Sequence, residues 1–296
     1  DMGGSIRIPA ALCGCVGLKP SLGRIPMDIL PTVFDDMSHF GPLARTVGDA
    51  ALFLSVAEGP DRADISSQRV PLPLPPRLNP DLRGVRVGLS PDQGFMAVDP
   101  EVAANLEAVA EALTAQGAEV VPVALPWRAE MVEAWLAWWG VVLAAAFGDA
   151  LDRHRERMDP ELVALMDAGR AMRAVDFARI DRLRTEMWHG LAAVFERHDA
   201  LLSPTMALPA PEKDAPADAF ERVDAAGRLH GLDMTAVFNM VGHCPALSVP
   251  SGMTSTGLPT AAQIVTDRFD DPLALRIGRA VERARPWRTW SPAARA

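Results

Sequence analysis

The sequence is short of cysteine, of lysine and of positive charge, and each shortage excludes something. Its 296 residues contain three cysteines, Cys13, Cys15 and Cys244. Three thiols cannot frame a chain of this size, so a disulfide scaffold is excluded and a reducing, cytoplasmic setting is expected. Cys13 and Cys15 lack a second pair of ligands at metal spacing and read as small buried residues. Lysine and arginine together number 29 against 38 acidic residues, a formal charge of −9. That sign argues against nucleic acid or an anionic membrane as partner. No nucleotide-binding motif and no His/Asp/Glu cluster at ligand spacing occurs, so no cofactor and no metal are expected. Very long apolar runs are also missing. The longest, Ala134 to Phe147, falls short of the ~20 residues that span a bilayer, and it predicts a buried helix rather than membrane association.

What is present is ordinary globular material. Hydrophobic residues make up 49% and charged residues 23%, enough to bury a large core and too apolar for a disordered chain. Pro71 to Pro80 holds five prolines in ten residues and reads as a stiff linker within one domain spanning 1–296. Beyond it, Val85 to Leu89 alternates like a strand. Asp99-Pro100-Glu101 has the chemistry of a helix start, and Val102, Leu106, Val109 and Leu113 follow at helical spacing until Gly117. Glu119 to Val123 reads as the next strand, so the two strands form a parallel pair with a crossover helix.

Val175 to Arg197 reads as a long amphipathic helix. Its face of Phe177, Ile180, Met187, Leu191 and Phe195 is interrupted only by Arg184. Ala200 to Leu202 is a short buried strand running into Ser203-Pro204-Thr205, and Pro209 to Pro216 is a loop. Ala246 to Val249 and Ala261 to Val265 are strands, and Asp271-Pro272 opens a last helix. Strands and helices mixed along the whole chain predict an α/β sandwich.

The chemistry concentrates at the start, in Asp1-Met2-Gly3-Gly4-Ser5-Ile6-Arg7-Ile8-Pro9. Paired glycines open backbone angles closed to other residues and let a ligand approach the main chain. Successive N–H groups in such a turn can hold an anion, and a serine beside them can act as a nucleophile. A serine capping a helix explains the same letters. The turn is not G-x-S-x-G, because Arg7 stands at the final position, and it is not a phosphate loop, because Lys-Ser/Thr is absent.

The segment DMGGSIRIPAALCGCVGLKPSLGRIP resembles the signature of the amidase signature family, D-x-G-G-S-I-R-x-P-(A/S)-x-x-C-G-x-x-G-L-K-P-(T/S)-x-G-R. The resemblance continues through Gly41 to Ala51, Gly59 to Asp64, Phe238 to Pro250 and Gly257-Leu258-Pro259, departing at Ala261, where the family usually has glycine. It is weak over 125–230, where family members shape different pockets. It implies a mixed, largely parallel central sheet with helices on both faces. It also implies hydrolysis of a small-molecule carboxamide by a serine, a second serine in a cis peptide, and a lysine. On this resemblance Ser5 is the nucleophile that forms the acyl-enzyme. The backbone N–H groups of Met2, Gly3, Gly4 and Ser5 form the oxyanion hole, and Asp1 and Arg7 support the loop.

The cis serine and the catalytic lysine belong upstream of Asp1 in this family. Lys19 matches the family's Gly-Leu-Lys-Pro, which accompanies its catalytic lysine, and Lys213 sits in a Pro/Asp-rich loop. The chain also begins at Asp1 inside a glycine turn. The expectation is therefore an N-terminally truncated amidase, inactive alone. His154, His189 and His198 read as solvated helix residues, and none of His39, His230 and His243 has a context that demands catalysis. Trp135, Trp138 and Trp139 fall on one helix and are either core or a pocket wall. Thr205 and Asn239 stand where family pockets are often lined. The alternatives are the glutaminyl/asparaginyl-forming component of a tRNA-dependent amidotransferase or a non-catalytic protein that keeps the fold. Ile8, where the amidotransferase component usually has glutamine, and the run Asp35 to Phe40 favour a stand-alone amidase. A homodimer is left open.

Overall fold

The computed structural model describes residues 1–72, 74, 78–215, 220 and 222–287. The elements follow in the order α1 (Arg7–Leu12), β1 (Val16–Lys19), β2 (Leu43–Ala44), α2 (Val47–Ala57), β3 (Arg86–Leu89), α3 (Pro100–Ala115), β4 (Glu119–Pro122), α4 (Glu130–His154), α5 (Pro160–Ala171), α6 (Ala174–Phe195), β5 (Ala200–Pro204), β6 (Arg222–Val223), β7 (Leu229–His230), α7 (Ala236–Asn239), β8 (Ala246–Met253), β9 (Pro259–Thr266) and α8 (Asp271–Ala284).

The expected helix starts form for the expected reason. The Asp99 carboxylate accepts from Glu101 N and Val102 N, with Pro100 in the first turn, and so satisfies backbone donors that have no partner inside the helix. Asp159 caps α5 in the same way. For α8 the cap is Asp270, one residue before the expected opening. The crossover from β3 through α3 to β4 gives a parallel pair in the register Arg86 with Glu119.

Seven strands form one sheet in the order β2-β1-β8-β9-β5-β3-β4. The sheet is mixed, and its parallel part is β5-β3-β4. The other pairings, β1 with β2, β1 with β8, β8 with β9 and β5 with β9, are antiparallel. The expectation of a largely parallel sheet therefore holds for the crossover half alone. β8 and β9 are joined by a turn too short for a crossover, which forces them antiparallel.

Helices cover both faces, because successive strand residues point to opposite sides. Ala200, Leu202, Leu247, Val249 and Ile264 join α2, α3 and α8 in one core. Their neighbours Leu201, Ala246 and Val265 join α4, α6 and α7 in the other. Arg184, the polar interruption of α6, donates through Nε to Met240 O and pairs through Nη2 with Asp36 Oδ2 at 2.6 Å. It thereby ties α6 to the segment beside the candidate site.

The apolar run lies in α4, and the helix is longer than the run. By length and composition the whole helix could cross a membrane, a test that the core helix of a soluble protein also passes, while the apolar run itself stays shorter than a span. In this fold it packs against α5, α6 and α7. Gly140 and Gly169 let α4 and α5 touch backbone to backbone, since a Cβ on Gly169 would lie 2.2 Å from Gly140 O. Within 71–80, Leu72, Leu74 and Leu78 lean on the first core, and no described residue is helix or strand; residues 73 and 75–77 lie outside the described residues. The expected loop at 209–216 is loop through Ala215, and Pro216 lies outside. The three cysteines are free: Cys244 is buried, but Cys13 is exposed and Cys15 half-buried, so that pair sits closer to solvent than expected.

Candidate active site

The Gly-Gly-Ser turn leads directly into α1, with Ser5 exposed and Gly3, Gly4, Ile6 and Arg7 buried around it. Four consecutive carbonyls of the turn are held by protein donors. Asp1 O accepts from His39 N at 3.0 Å and Asn239 Nδ2 at 2.9 Å. Met2 O accepts from Trp135 Nε1 at 2.9 Å, Gly3 O from the Thr235 hydroxyl, and Gly4 O from Ile8 N at 2.7 Å. A trans peptide points its N–H away from its own carbonyl. Each of these bonds therefore fixes the direction of the next N–H, that of Met2, Gly3, Gly4 and Ser5 in turn. None of those four N–H groups donates to a protein acceptor among the described residues. They are oriented donors beside Ser5, an arrangement that can hold an anion.

Beneath the turn lies an ion pair with no solvent exposure. Arg7 and Asp1 meet at 3.0 Å, and both side chains are fully buried. All five guanidinium N–H groups are used. Nε and Nη2 reach the two Asp1 oxygens, Nη2 also reaches Asn239 Oδ1, and Nη1 donates to Thr235 O at 3.0 Å and Gln263 Oε1 at 3.1 Å. Asp1 Oδ2 also accepts from Ile6 N at 3.1 Å. Burial pulls Arg7 down to about 9, which leaves it charged at neutral pH. The planar fork joins the turn, α7 and β9 in one piece, which a flexible ammonium could not do.

The two lysines stand apart from this chemistry. Lys19 is fully buried on β1, and its ammonium donates to Pro20 O, Gly242 O and Cys244 O at 3.3, 3.4 and 2.8 Å. All three of its donors are committed to backbone. Lys213 is exposed on the loop after Pro209. His39 is buried between Met37 O and Gly242 O, both 2.9 Å from its ring nitrogens, and burial drives its pKa well below the usual histidine value. The exposed His243 stacks edge-on against Phe269. Among the described residues no group of three or more His, Cys, Asp or Glu is arranged to hold a metal ion.

A cleft of about 480 Å³ borders the turn. Trp135 and Thr235 form the shared wall. The Trp135 ring lies over Gly3, and the Thr235 hydroxyl lies against Gly4. The rest of the wall is mainly apolar and comes from 93–96, α4, β7 and 231–237.

Of the five expected pocket residues, only Trp135 lines this cleft. Trp139 stacks on Trp135 with ring centroids 5.3 Å apart and acts as its backing. Trp138 does not line the cleft and is buried in the second core. Thr205 is buried, its hydroxyl paired with Ser248 Oγ at 2.9 Å. Asn239 belongs to the Arg7–Asp1 network under the turn. Thr235, Gln263, Gln93 and Asp233 carry the site but were not anticipated. They lie far along the chain from the glycine turn, in stretches with no motif of their own.

A family model for amidases matches residues 1–275. The chain belongs to the amidase family. It is 36% identical to an acylamidase from Rhodococcus erythropolis, over 99% of this chain and 62% of that one. It is 31% identical to an amidase from Pseudomonas putida, over 99% of this chain and 63% of that one. Its relatives also include a glutamyl-tRNA(Gln) amidotransferase component from Thermosynechococcus vestitus, 31% identical over 99% of this chain and 64% of that one. A solved bacterial aryl acylamidase of the amidase signature enzymes superposes with a TM-score of 0.87 at 32% identity, covering 97% of this chain and 61% of that one. This amidase chain thus spans about three-fifths of the length of these relatives.

Proposed function

We propose that this chain carries the nucleophile and the oxyanion turn of an amidohydrolase that cleaves a carboxamide C–N bond through an acyl-enzyme on Ser5. The observation that supports this most is the turn itself. Ser5 is exposed, and the four N–H groups of Met2, Gly3, Gly4 and Ser5 are oriented by carbonyls already bonded on their other side. The Ser5 oxygen attacks the amide carbon, and the carbonyl oxygen takes up negative charge facing those N–H groups. The C–N bond then breaks as the amine takes a proton, and water releases the carboxylate.

Serine needs a positioned base, and neither lysine among the described residues reads as one. Lys19 has its three donors on backbone carbonyls, and Lys213 is exposed on a loop. We assign the proton relay, by resemblance a lysine and a cis serine, to residues outside this chain, so the 296 residues alone do not turn over amides. The contribution forgone is about 10²–10⁴-fold. Reading the chain as an amidotransferase component has support from relatives of that kind, but Ile8 stands where glutamine is usual, and it packs with Ala11, Met206 and Ala261.

The test is labelling of the native protein with a fluorophosphonate, followed by peptide mapping. Label on Ser5, absent from Ser5→Ala, together with loss of amide turnover in that variant, is the expected result. Undiminished labelling or turnover in Ser5→Ala would overturn the assignment.

A further inference from the structure

The polar side chains that line the cleft beside the turn are hydrogen-bond acceptors. Gln93 has no solvent exposure, and its Nε2 donates to Met234 O at 2.8 Å. That bond fixes which way the amide faces, because turning it over would set oxygen against oxygen. Gln93 Oε1 is left buried without a partner. Asp233 presents a carboxylate whose Oδ1 accepts from Thr235 N at 3.0 Å; its Oδ2 meets no donor among the described residues. Glu133 stands on the cleft wall without an ion pair among the described residues. The Thr235 hydroxyl is held between Gly3 O and Asp233 Oδ1.

No lysine, arginine or histidine lines the cleft among the described residues. Residues 216–219 contain none in sequence. Arg7, the buried cation nearest the turn, commits all five N–H groups to other protein acceptors. From the described residues of this chain, a ligand group entering the cleft therefore meets apolar walls from Phe95, Met96, Val132 and Leu136, acceptors in need of donors, and the Asp233 and Glu133 carboxylates, neither in an ion pair, the first with the buried Arg7 charge behind it.

We infer that the cleft selects an apolar amide bearing an ammonium or other N–H-rich group, and rejects amides bearing a carboxylate. This rests on the amidase reading and adds the charge class of the substrate to it. An anionic substrate would bring like charge onto Asp233 and Glu133 and leave Gln93 Oε1 unanswered. A cationic one neutralises the first and can donate to the second. The α-carboxylated amides, glutamine and asparagine, fall in the rejected class.

Two measurements on the native protein test this. Calorimetric titration with benzylamine, benzyl alcohol and benzoate reads binding without requiring catalysis. Benzylamine is expected to bind most tightly and benzoate not at all. Asp233→Asn keeps the Oδ1 acceptor for Thr235, and is expected to weaken benzylamine about tenfold while leaving benzyl alcohol unchanged. Glu133→Gln, a change at the cleft rim, serves as the second variant and moves benzylamine in the same direction. Turnover is then compared for acetanilide and benzamide, each unsubstituted, 4-aminomethylated and 4-carboxylated. Within the series whose ring enters the cleft, kcat/KM should fall in the order cationic, neutral, anionic. Benzoate binding as well as benzylamine, or benzylamine affinity unchanged in both variants, would overturn the inference. Binding preference without any amide turnover would instead overturn the amidase reading and leave the charge selectivity standing.

Discussion

Replacing Arg7 by methionine separates a supporting cation from an incidental one. The side chain is fully buried and its five N–H groups all find acceptors. Methionine fills much of the same volume but leaves the Asp1 carboxylate, also without exposure, unpaired in the interior. Breaking a buried pair from one side costs about 3–5 kcal/mol. Orphaned carbonyls at Thr235, Gln263 and Asn239 push toward the upper end, at about 1–3 kcal/mol for each group that cannot turn to a new donor.

A chain of this size loses roughly 2–4 °C of Tm per kcal/mol, so the expected fall is about 10 °C. Arg7→Lys keeps the charge but loses the fork, and should fall between wild type and Arg7→Met. Arg83→Met is the control. Its partner Asp81 is 2.6 Å away, but Arg83 is 83% exposed, and solvent screens such a pair until it contributes little to stability. Urea unfolding followed by tryptophan fluorescence measures all three. A loss below about 1 kcal/mol in Arg7→Met, or an Arg7→Lys indistinguishable from wild type, would refute the view that this fork holds the turn.

Lys19 should give stability an unusual pH slope. Burial lowers it from 10.5 to about 7, so between those values the unfolded chain binds more protons and this group's contribution rises with pH, while its desolvation cost stands in full below 7. The unfolding midpoint of wild type should therefore climb relative to Lys19→Met from pH 7 to 10, and parallel curves would contradict this. The tryptophans of α4 should divide by role. Trp138→Ala costs about 3–5 kcal/mol as a core cavity, whereas Trp135→Phe costs about 1 kcal/mol, the bond to Met2 O, and raises KM. Equal stability losses with unchanged KM would remove Trp135 from the cleft wall.

The local elements were legible where short-range chemistry decides them. Asp99-Pro100-Glu101 starts a helix because its carboxylate reaches the next free N–H groups, and β3, α3 and β4 follow from periodicity alone. The antiparallel half of the sheet was less legible. It depends on β8 and β9 standing between β1 and β5, a neighbour relation that no local pattern encodes. α4 shows the opposite error. Its apolar run was visible, but its length was set by flanking residues such as Glu130 and His154, which the run itself excludes. The pocket suffered most. Trp135 and Trp138 are three residues apart on one helix, yet one faces the cleft and the other the core. Helical spacing sets them as neighbours on one face, and only the packing of α6 and α7 decides which of the two meets the cleft.

The glycine turn shows why a motif can be read while its reason cannot. Gly3 and Gly4 look interchangeable in sequence, and paired glycines suggested backbone freedom for both. Gly4 does need it, at φ +144°, and a Cβ there would also lie 2.2 Å from Thr235 Oγ1. Gly3 has no such dihedral demand. It is glycine because the Trp135 ring occupies the place of its side chain, 2.1 Å from where a Cβ would sit. That ring brings its indole N–H onto Met2 O, and the bond aims the Gly3 N–H away from it. The small residue and the large one are therefore one device, with Trp135 setting the direction of a donor because Gly3 leaves it room. The same holds for Thr235 with Gly4, where a hydroxyl on Gly3 O directs the Gly4 N–H. The glycine turn is thus built as much by residues 135, 235 and 239 as by residues 1–5, and a change in either set should disturb the same four N–H groups.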